Sequence, residues 1–213
     1  MKKMLALLLV AFMVGLNFVA SAEAVFQGNF TIRSGINAGM TIEEVKSTEI
    51  NNGNEELNED VSQLYGDEVK LAFITELAGN GSMLFYWFDE EEQLKDFQYW
   101  IVDASTYSSF ENSLTEKYGQ PFMRDTQIPF NTRIMTLFDH SSVLNPKIRN
   151  YSSWLLWYDD CCVVVELMQF YSSRNGEVLN LNYSLVSHKE ATTVLQGIKN
   201  EIDAAQQSAM NDL

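Results

Sequence analysis

Apolar and polar residues alternate along the first half of the chain in runs that predict β-strands. The alternation holds from Val69 to Leu77 and from Phe97 to Val102, while residues 83–88 are apolar on both faces. Two turn sequences, 80–82 and the acidic 89–93, separate these runs. Short strand patterns joined by such turns indicate a three-stranded antiparallel meander.

Four further strand patterns lie in the second half of the chain. They run from Arg133 to Phe138, from Trp154 to Tyr158, from Cys161 to Tyr171 and from Leu179 to Leu185. The last run alternates most regularly, because every second residue in it is Asn or Ser. One of its faces is therefore predicted to point toward water.

The first helix is predicted by three start signals that agree. Thr41 is a favourable N-cap, and Glu44 stands three residues later, where it completes a capping box. Met40 and Val45 occupy the two positions of a hydrophobic staple. The helix is expected to end near Glu49, before an acidic and Asn-rich segment that is predicted to be a loop up to residue 68.

Two more helices are predicted from apolar stripes and end signals. The second stripe has spacings of three and four residues, and its members are Tyr107, Phe110, Leu114 and Tyr118. Gly119 and Pro121 then end that helix. A capping box of Ser187 and Glu190 begins the last helix, whose stripe is Leu195, Ile198, Ile202 and Ala205.

The order of elements is therefore α-βββ-α-ββββ-α, which predicts an α+β fold. It reads as two tandem units, each a helix followed by an antiparallel meander, over residues 25–103 and 104–188. Residues 189–213 form a C-terminal helix and tail. We expect a curved antiparallel sheet with the helices on one of its faces.

Residues 1–22 resemble a bacterial secretory signal peptide. Lys2 and Lys3 precede an apolar run, and small residues at 20–22 form a cleavage pattern, with a second option after 24. The protein is therefore predicted to be exported to the periplasm or the outside of the cell, with no membrane span after cleavage. An uncleaved N-terminal anchor is the alternative, although the run is short for a span.

The charge of the chain narrows the classes of partner. Cleavage would remove two lysines from the 14 basic side chains and none of the 29 acidic ones, so that the net charge becomes about −17. Such acidity excludes a nucleic-acid binder, because phosphate recognition requires a basic patch. It suggests a basic partner or simple repulsion from an acidic cell surface.

Two segments resemble a known family. Residues 36–45, with Gly-Met-Thr before Glu-Glu-Val, resemble the helix entry of exported beta-lactamase-inhibitor-like proteins and of the related SmpA/BamE small lipoproteins. Residues 114–121 are similar to the helix exit of secreted relatives, and with the strand order the resemblance covers residues 30–188. It implies non-enzymatic proteins that bind partners through a concave sheet face. The chain lacks the lipidated Cys of the lipoproteins and the disulfides within each repeat of the inhibitor.

No sequence motif for catalysis, a cofactor or a metal stands out, so none of these is predicted. The adjacent Cys161 and Cys162 are interpreted as two free, mostly buried thiols; a vicinal disulfide, an intermolecular bridge or a metal site are the alternatives. Residues 139–142, Asp-His-Ser-Ser, are interpreted as a polar turn rather than as parts of a hydrolase site. The acidic run 89–92 is interpreted as a solvated turn rather than a calcium site.

Aromatic residues concentrate in the predicted strands and suggest a binding face. Because alternation sends half of them to each side of the sheet, one set is expected to lie on the open face: Tyr86, Trp100, Trp154 and Tyr183. The alternative is that both faces are covered and all four belong to the core. The predicted function is binding of a protein or peptide in the cell envelope or outside the cell. A small secreted enzyme with a scattered site and a small-ligand-binding envelope protein are the alternatives.

Overall fold

The meanders predicted from the sequence form parts of one antiparallel sheet. The computed structural model describes residues 30–57, 71–125, 128–134, 147–159, 161–172 and 176–211. Its ten strands are β1 Thr31–Arg33, β2 Ile36–Asn37, β3 Glu55–Glu56, β4 Leu71–Leu77, β5 Asn80–Phe88, β6 Leu94–Ile101, β7 Met123–Arg124, β8 Ile148–Trp157, β9 Cys162–Ser172 and β10 Gly176–Val186. Eight of them form a sheet in the order β3-β4-β5-β6-β10-β9-β8-β7, and β1 pairs with β2 separately.

The described part of the chain has four α-helices beside the sheet, so the predicted α+β class is confirmed. They are α1 Ile42–Asn51, α2 Tyr107–Tyr118, α3 Phe130–Ile134 and α4 His188–Asn211, and a 3-10 turn at Ala104–Thr106 precedes α2. None of the described helices is long and apolar enough to cross a membrane.

The helix boundaries follow the predicted caps. At the start of α1, the Thr41 hydroxyl accepts a hydrogen bond from the Glu44 N–H at 3.4 Å, and the Glu44 carboxylate accepts one from the Thr41 N–H at 2.8 Å. At the end of α2, Gly119 has a φ of 84°, a left-handed conformation that favours glycine. The capping box of Ser187 and Glu190 is also present.

The larger core lies on one face of the sheet, which we call the inner face. The helices α1 and α2 and the β1–β2 pair cover it, and the buried side chains that they contact come from β4, β5, β6, β8, β9 and β10. Strand β9 contributes Val163, Val165 and Leu167 to this core, and α2 contributes Phe110 and Leu114. This layer forms because every second residue of these strands is large and apolar.

The opposite face, which we call the outer face, is also covered in part. Here α3 and α4 pack over β8, β9 and β10, where Cys162 and Val164 meet Val194 and Ile198 of α4. Helices α1 and α2 of the two predicted units therefore share one face, while α3, which was not predicted, and the C-terminal helix α4 lie on the other. The reason is visible in β9, whose start is apolar at consecutive positions, so both of its faces need cover.

The segment between β7 and β8 also differs from expectation. A strand was expected from Arg133 to Phe138, but residues 130–134 form the short helix α3 directly after Pro129. A short apolar run does not distinguish a buried strand from a buried helix, and proline favours a helix start. The predicted signal peptide, the polar turn at 139–142 and most of the loop predicted up to residue 68 lie outside the described residues.

Candidate functional site

The four aromatic residues expected on one open face are divided between the two faces. Tyr86, Trp154 and Tyr183 are buried in the inner core, and Trp100 lies on the outer face, partly exposed. The expectation that they form a common exposed surface is corrected by the pairing register. Tyr86 pairs with Phe97, whereas Trp100 pairs with Met83, and residues an odd number apart along a strand point to opposite sides.

Each buried member has a structural role in the inner core. The Tyr183 ring stacks on Phe97 with centroids 4.5 Å apart. The Trp154 Nε1–H donates to the Gly119 carbonyl at 2.8 Å and so joins β8 to the end of α2. The Tyr86 hydroxyl donates a hydrogen bond to Glu49 of α1. These contacts provide the polar partners that buried Tyr and Trp side chains require.

The outer face of β4, β5 and β6 carries the remaining candidate surface. We call it the aromatic face and define it by four side chains that are at least partly exposed: Ile74, Met83, Trp87 and Trp100. Ile74, Met83 and Trp100 stand side by side in the cross-strand register. Ile74 is 48% exposed, which is unusual for a large aliphatic side chain at the centre of a strand.

The aromatic face is built around Phe85, which is only 1% exposed. Its ring lies 5.5 Å from that of Trp100 and 6.2 Å from that of Trp87, measured between centroids. Two tryptophans that flank a buried phenylalanine hold few rotamers. The surface is therefore preorganised, which reduces the entropy lost on binding.

A polar strip on β10 borders the aromatic face. Asn180 pairs with Trp100, Asn182 with Gln98, and Ser184 with Asp96. Asn180 is 3% exposed, and its Oδ1 has no hydrogen-bond partner within the part of the chain that the structure describes. A buried amide oxygen without a donor costs free energy that a ligand N–H would recover.

The charges around the aromatic face are mostly negative. Glu76 is exposed at the far end of β4, and the exposed acidic turn 89–92 directly follows β5. Lys95, exposed where the register between β5 and β6 shifts, is the one Lys or Arg among the described residues of β4, β5, β6 and β10. The interpretation of 89–92 as a solvated turn is confirmed for its shape and exposure.

A buried carboxyl group lies further along the outer face, beneath α3. Glu166 of β9 is 1% exposed and accepts hydrogen bonds from the Tyr151 hydroxyl at 2.5 Å and from the Asn131 N–H at 3.2 Å. Burial raises the pKa of the Glu166 carboxyl, and burial also raises the pKa of Tyr151 well above its usual value. No sequence pattern singled out this site, although a Glu within the apolar run of β9 is a signal for it.

The same cluster attaches α3 to the sheet. The Phe130 N–H donates to the Tyr151 hydroxyl oxygen at 3.0 Å, and the Asn131 side-chain amide donates to the Ser184 hydroxyl at 2.6 Å. Glu166 and Tyr151 thus accept the first N–H groups of α3, which have no partner within the helix. The cluster is closed by contacts within the chain, which favours a structural role over a catalytic one.

A second buried carboxylate, Glu49, holds α1 against the inner face. Glu49 accepts a hydrogen bond from the Tyr86 hydroxyl, and its Oε1 lies 3.3 Å from Nε of Arg33 in an ion pair. The Glu49 side chain is fully buried. Arg33 also donates to the Tyr99 hydroxyl at 3.0 Å. Burial raises the pKa of Tyr99, so this hydroxyl stays protonated. The ion pair is satisfied by hydrogen bonds, as a buried charge requires.

The two cysteines are both free thiols, as predicted. Cys162 is buried at the start of β9, and burial raises the pKa of its thiol to about 12. A thiol of that pKa is a poor nucleophile near neutral pH. His188 lies at the start of α4, with its Nε2 2.9 Å from the Tyr158 carbonyl oxygen.

Nothing in the described residues groups three or more His, Cys, Asp or Glu side chains in a way that could hold a metal ion. Comparisons with protein-family models, with curated proteins and with solved structures find no match for this chain. The resemblance to the beta-lactamase-inhibitor-like and SmpA/BamE families therefore stays a prediction.

Proposed function

We propose that this chain is an exported, non-enzymatic domain that binds another protein or peptide through its aromatic face. The observation that carries the proposal is the partly exposed cluster of Ile74, Met83, Trp87 and Trp100 on the outer face of one sheet half. Tryptophan side chains are enriched at binding hot spots, and contiguous exposed apolar patches mark interaction sites. The location outside the cytoplasm rests on the signal-like residues 1–22.

We further propose that the fold consists of two tandem units. The meander β4-β5-β6 follows α1 and the short strand β3, and the meander β8-β9-β10 follows α2 and the short strand β7. The last strands of the two meanders, β6 and β10, are neighbours at the centre of the sheet. This correspondence in order supports a repeat, and it agrees with what the family resemblance implies.

The two proposed units differ in the cover of their outer faces. In the second unit, α3 and α4 pack over β8, β9 and β10. In the first unit, the described elements leave Ile74 exposed and the two tryptophans partly exposed. Binding is therefore assigned to the first unit, while the second unit supplies a stable platform. This is narrower than a binding surface spread over the whole sheet.

A matched pair of double variants tests the proposal. Ile74→Gln with Trp87→Gln removes apolar surface from the aromatic face, and Ile50→Gln with Tyr171→Gln makes the same change elsewhere. Ile50 and Ile74 are 50% and 48% exposed, and Tyr171 is 68% exposed, so none of these three side chains contributes much to the core. Circular dichroism and thermal melting verify that both variants fold.

Tagged chain spanning 25–213 serves as bait for the envelope and culture-supernatant fractions of the host. We expect wild type and the Ile50/Tyr171 variant to capture the same protein and the Ile74/Trp87 variant to lose it. Equal capture by both variants would overturn the assignment of binding to the aromatic face. Capture of nothing specific by the wild type would contradict the proposal as well.

A further inference from the structure

We propose that the segment recognised by the aromatic face is basic: a stretch of polypeptide with Lys or Arg side chains among apolar ones. This inference rests on the proposed function and names the chemistry of its partner. Three observations support it: the mainly negative surrounding charge, the two partly exposed tryptophan rings, and the Asn180 oxygen, which has no donor among the described residues.

The charge around the aromatic face selects against acidic partners. Glu76 lies at one end of it and the acidic turn 89–92 at the other, and Lys95 is the one cation among the described residues of β4, β5, β6 and β10. The whole chain carries a net charge of −15. Like-charged surfaces repel, and complementary ones speed encounter and fix the partner's orientation.

The side chains of the face match the shape of a basic residue. A Lys or Arg stem packs on apolar surface such as Ile74 and Met83, while its cationic head can lie over the indole ring of Trp87 or Trp100. Asn180 stands beside Trp100 in the register, and its buried Oδ1 accepts an N–H donor of the ligand. A guanidinium or ammonium group supplies several such donors.

A second copy of this chain does not fit these features. Two copies that met through the aromatic face would each bring Glu76 and the turn 89–92, with a charge of −15 on each molecule. Large net charge of one sign keeps proteins apart. The one described cation on the strands of the first unit's meander, Lys95, is outnumbered by these acidic residues.

Selection from a random twelve-residue peptide display library tests the inference, with the immobilised mature chain as bait. Glu76→Lys reverses a charge beside the aromatic face, and Glu116→Lys makes the same change at an exposed position of α2, away from it. The Ile74→Gln/Trp87→Gln variant shows which peptides bind the aromatic face at all. Selected peptides are then synthesised and titrated against each protein.

We expect peptides enriched in Lys and Arg over the input library, bound by wild type and Glu116→Lys alike, and weakened about tenfold by Glu76→Lys. Peptides that depend on Ile74 and Trp87 but show no excess of basic residues would overturn the basic-partner inference and leave the proposed function intact. If no peptide is selected above the level of the Ile74/Trp87 variant, both the inference and the binding role of the face are contradicted.

Discussion

Replacing Glu166 tests how the outer-face cluster holds α3. Glu166→Ala removes the acceptor of the Tyr151 hydroxyl, at 2.5 Å, and of the Asn131 N–H, at 3.2 Å. Each buried donor left without a partner costs about 1–3 kcal/mol, and the lost side-chain volume adds a cavity term. We therefore expect Glu166→Ala to reduce the free energy of unfolding by about 3–5 kcal/mol.

Glu166→Gln has a different expected outcome. The side-chain oxygen of Gln can accept the same two hydrogen bonds, and Gln has nearly the same volume as Glu. Burial raises the pKa of Glu166, so the folded chain holds this proton to a higher pH than the unfolded chain does. The stability that this proton contributes is complete below the ordinary carboxyl pKa and is lost as pH rises through the folded value.

Glu166→Gln is therefore expected to be neutral or stabilising at pH 7. As the pH rises above 4.5, the variant should lose less stability than wild type does. Urea unfolding of wild type, Gln and Ala variants at pH 4, 5, 6 and 7, followed by circular dichroism, measures these differences. If Glu166→Gln destabilised the protein as much as Glu166→Ala, the carboxylate charge itself would be required. The reasoning that burial disfavours the Glu166 carboxylate would then be refuted.

Three further changes have expected outcomes. Thr41→Ala breaks the capping box with Glu44 and should lower stability by about 1 kcal/mol in thermal melts, whereas an unchanged melting temperature would show that the cap is redundant. Trp154→Phe leaves a smaller aromatic ring in the core and removes the 2.8 Å hydrogen bond to the Gly119 carbonyl, so chemical denaturation should show a loss of at least about 1–2 kcal/mol; a neutral effect would contradict that role. Burial raises the pKa of Cys162 to about 12, so this thiol should resist iodoacetamide at pH 8 until urea unfolds the chain. Rapid labelling of Cys162 in the folded protein, detected by mass spectrometry, would contradict its burial.

The sequence predicted the elements whose signals are local. Helix α1 begins after Thr41 because its cap and acidic partner lie three residues apart, and α2 ends at Gly119 because a left-handed residue stops it. The strands were recognised from alternation and from turns such as 89–93. These features depend on neighbours in the chain and need no knowledge of the tertiary fold.

Which face a side chain occupies could not be predicted in the same way. Residues 83–88 are apolar at every position, so the periodicity does not say whether Tyr86 or Trp87 points to the core. The answer depends on where α1 and α2 pack, which is a tertiary property. Glu166 was missed for a related reason, because its partners Tyr151 and Asn131 are far from it in the chain.

Hydroxyl-radical footprinting of the chain, free and bound to the protein that it captures from its host, tests the central claim most directly. The account predicts that oxidation of Met83, Trp87 and Trp100 decreases in the complex, while the exposed Tyr171 on β9 remains as reactive as in the free chain. Unchanged oxidation of the aromatic face, with protection at Tyr171 or along α4 instead, would contradict the claim that this face is the binding surface.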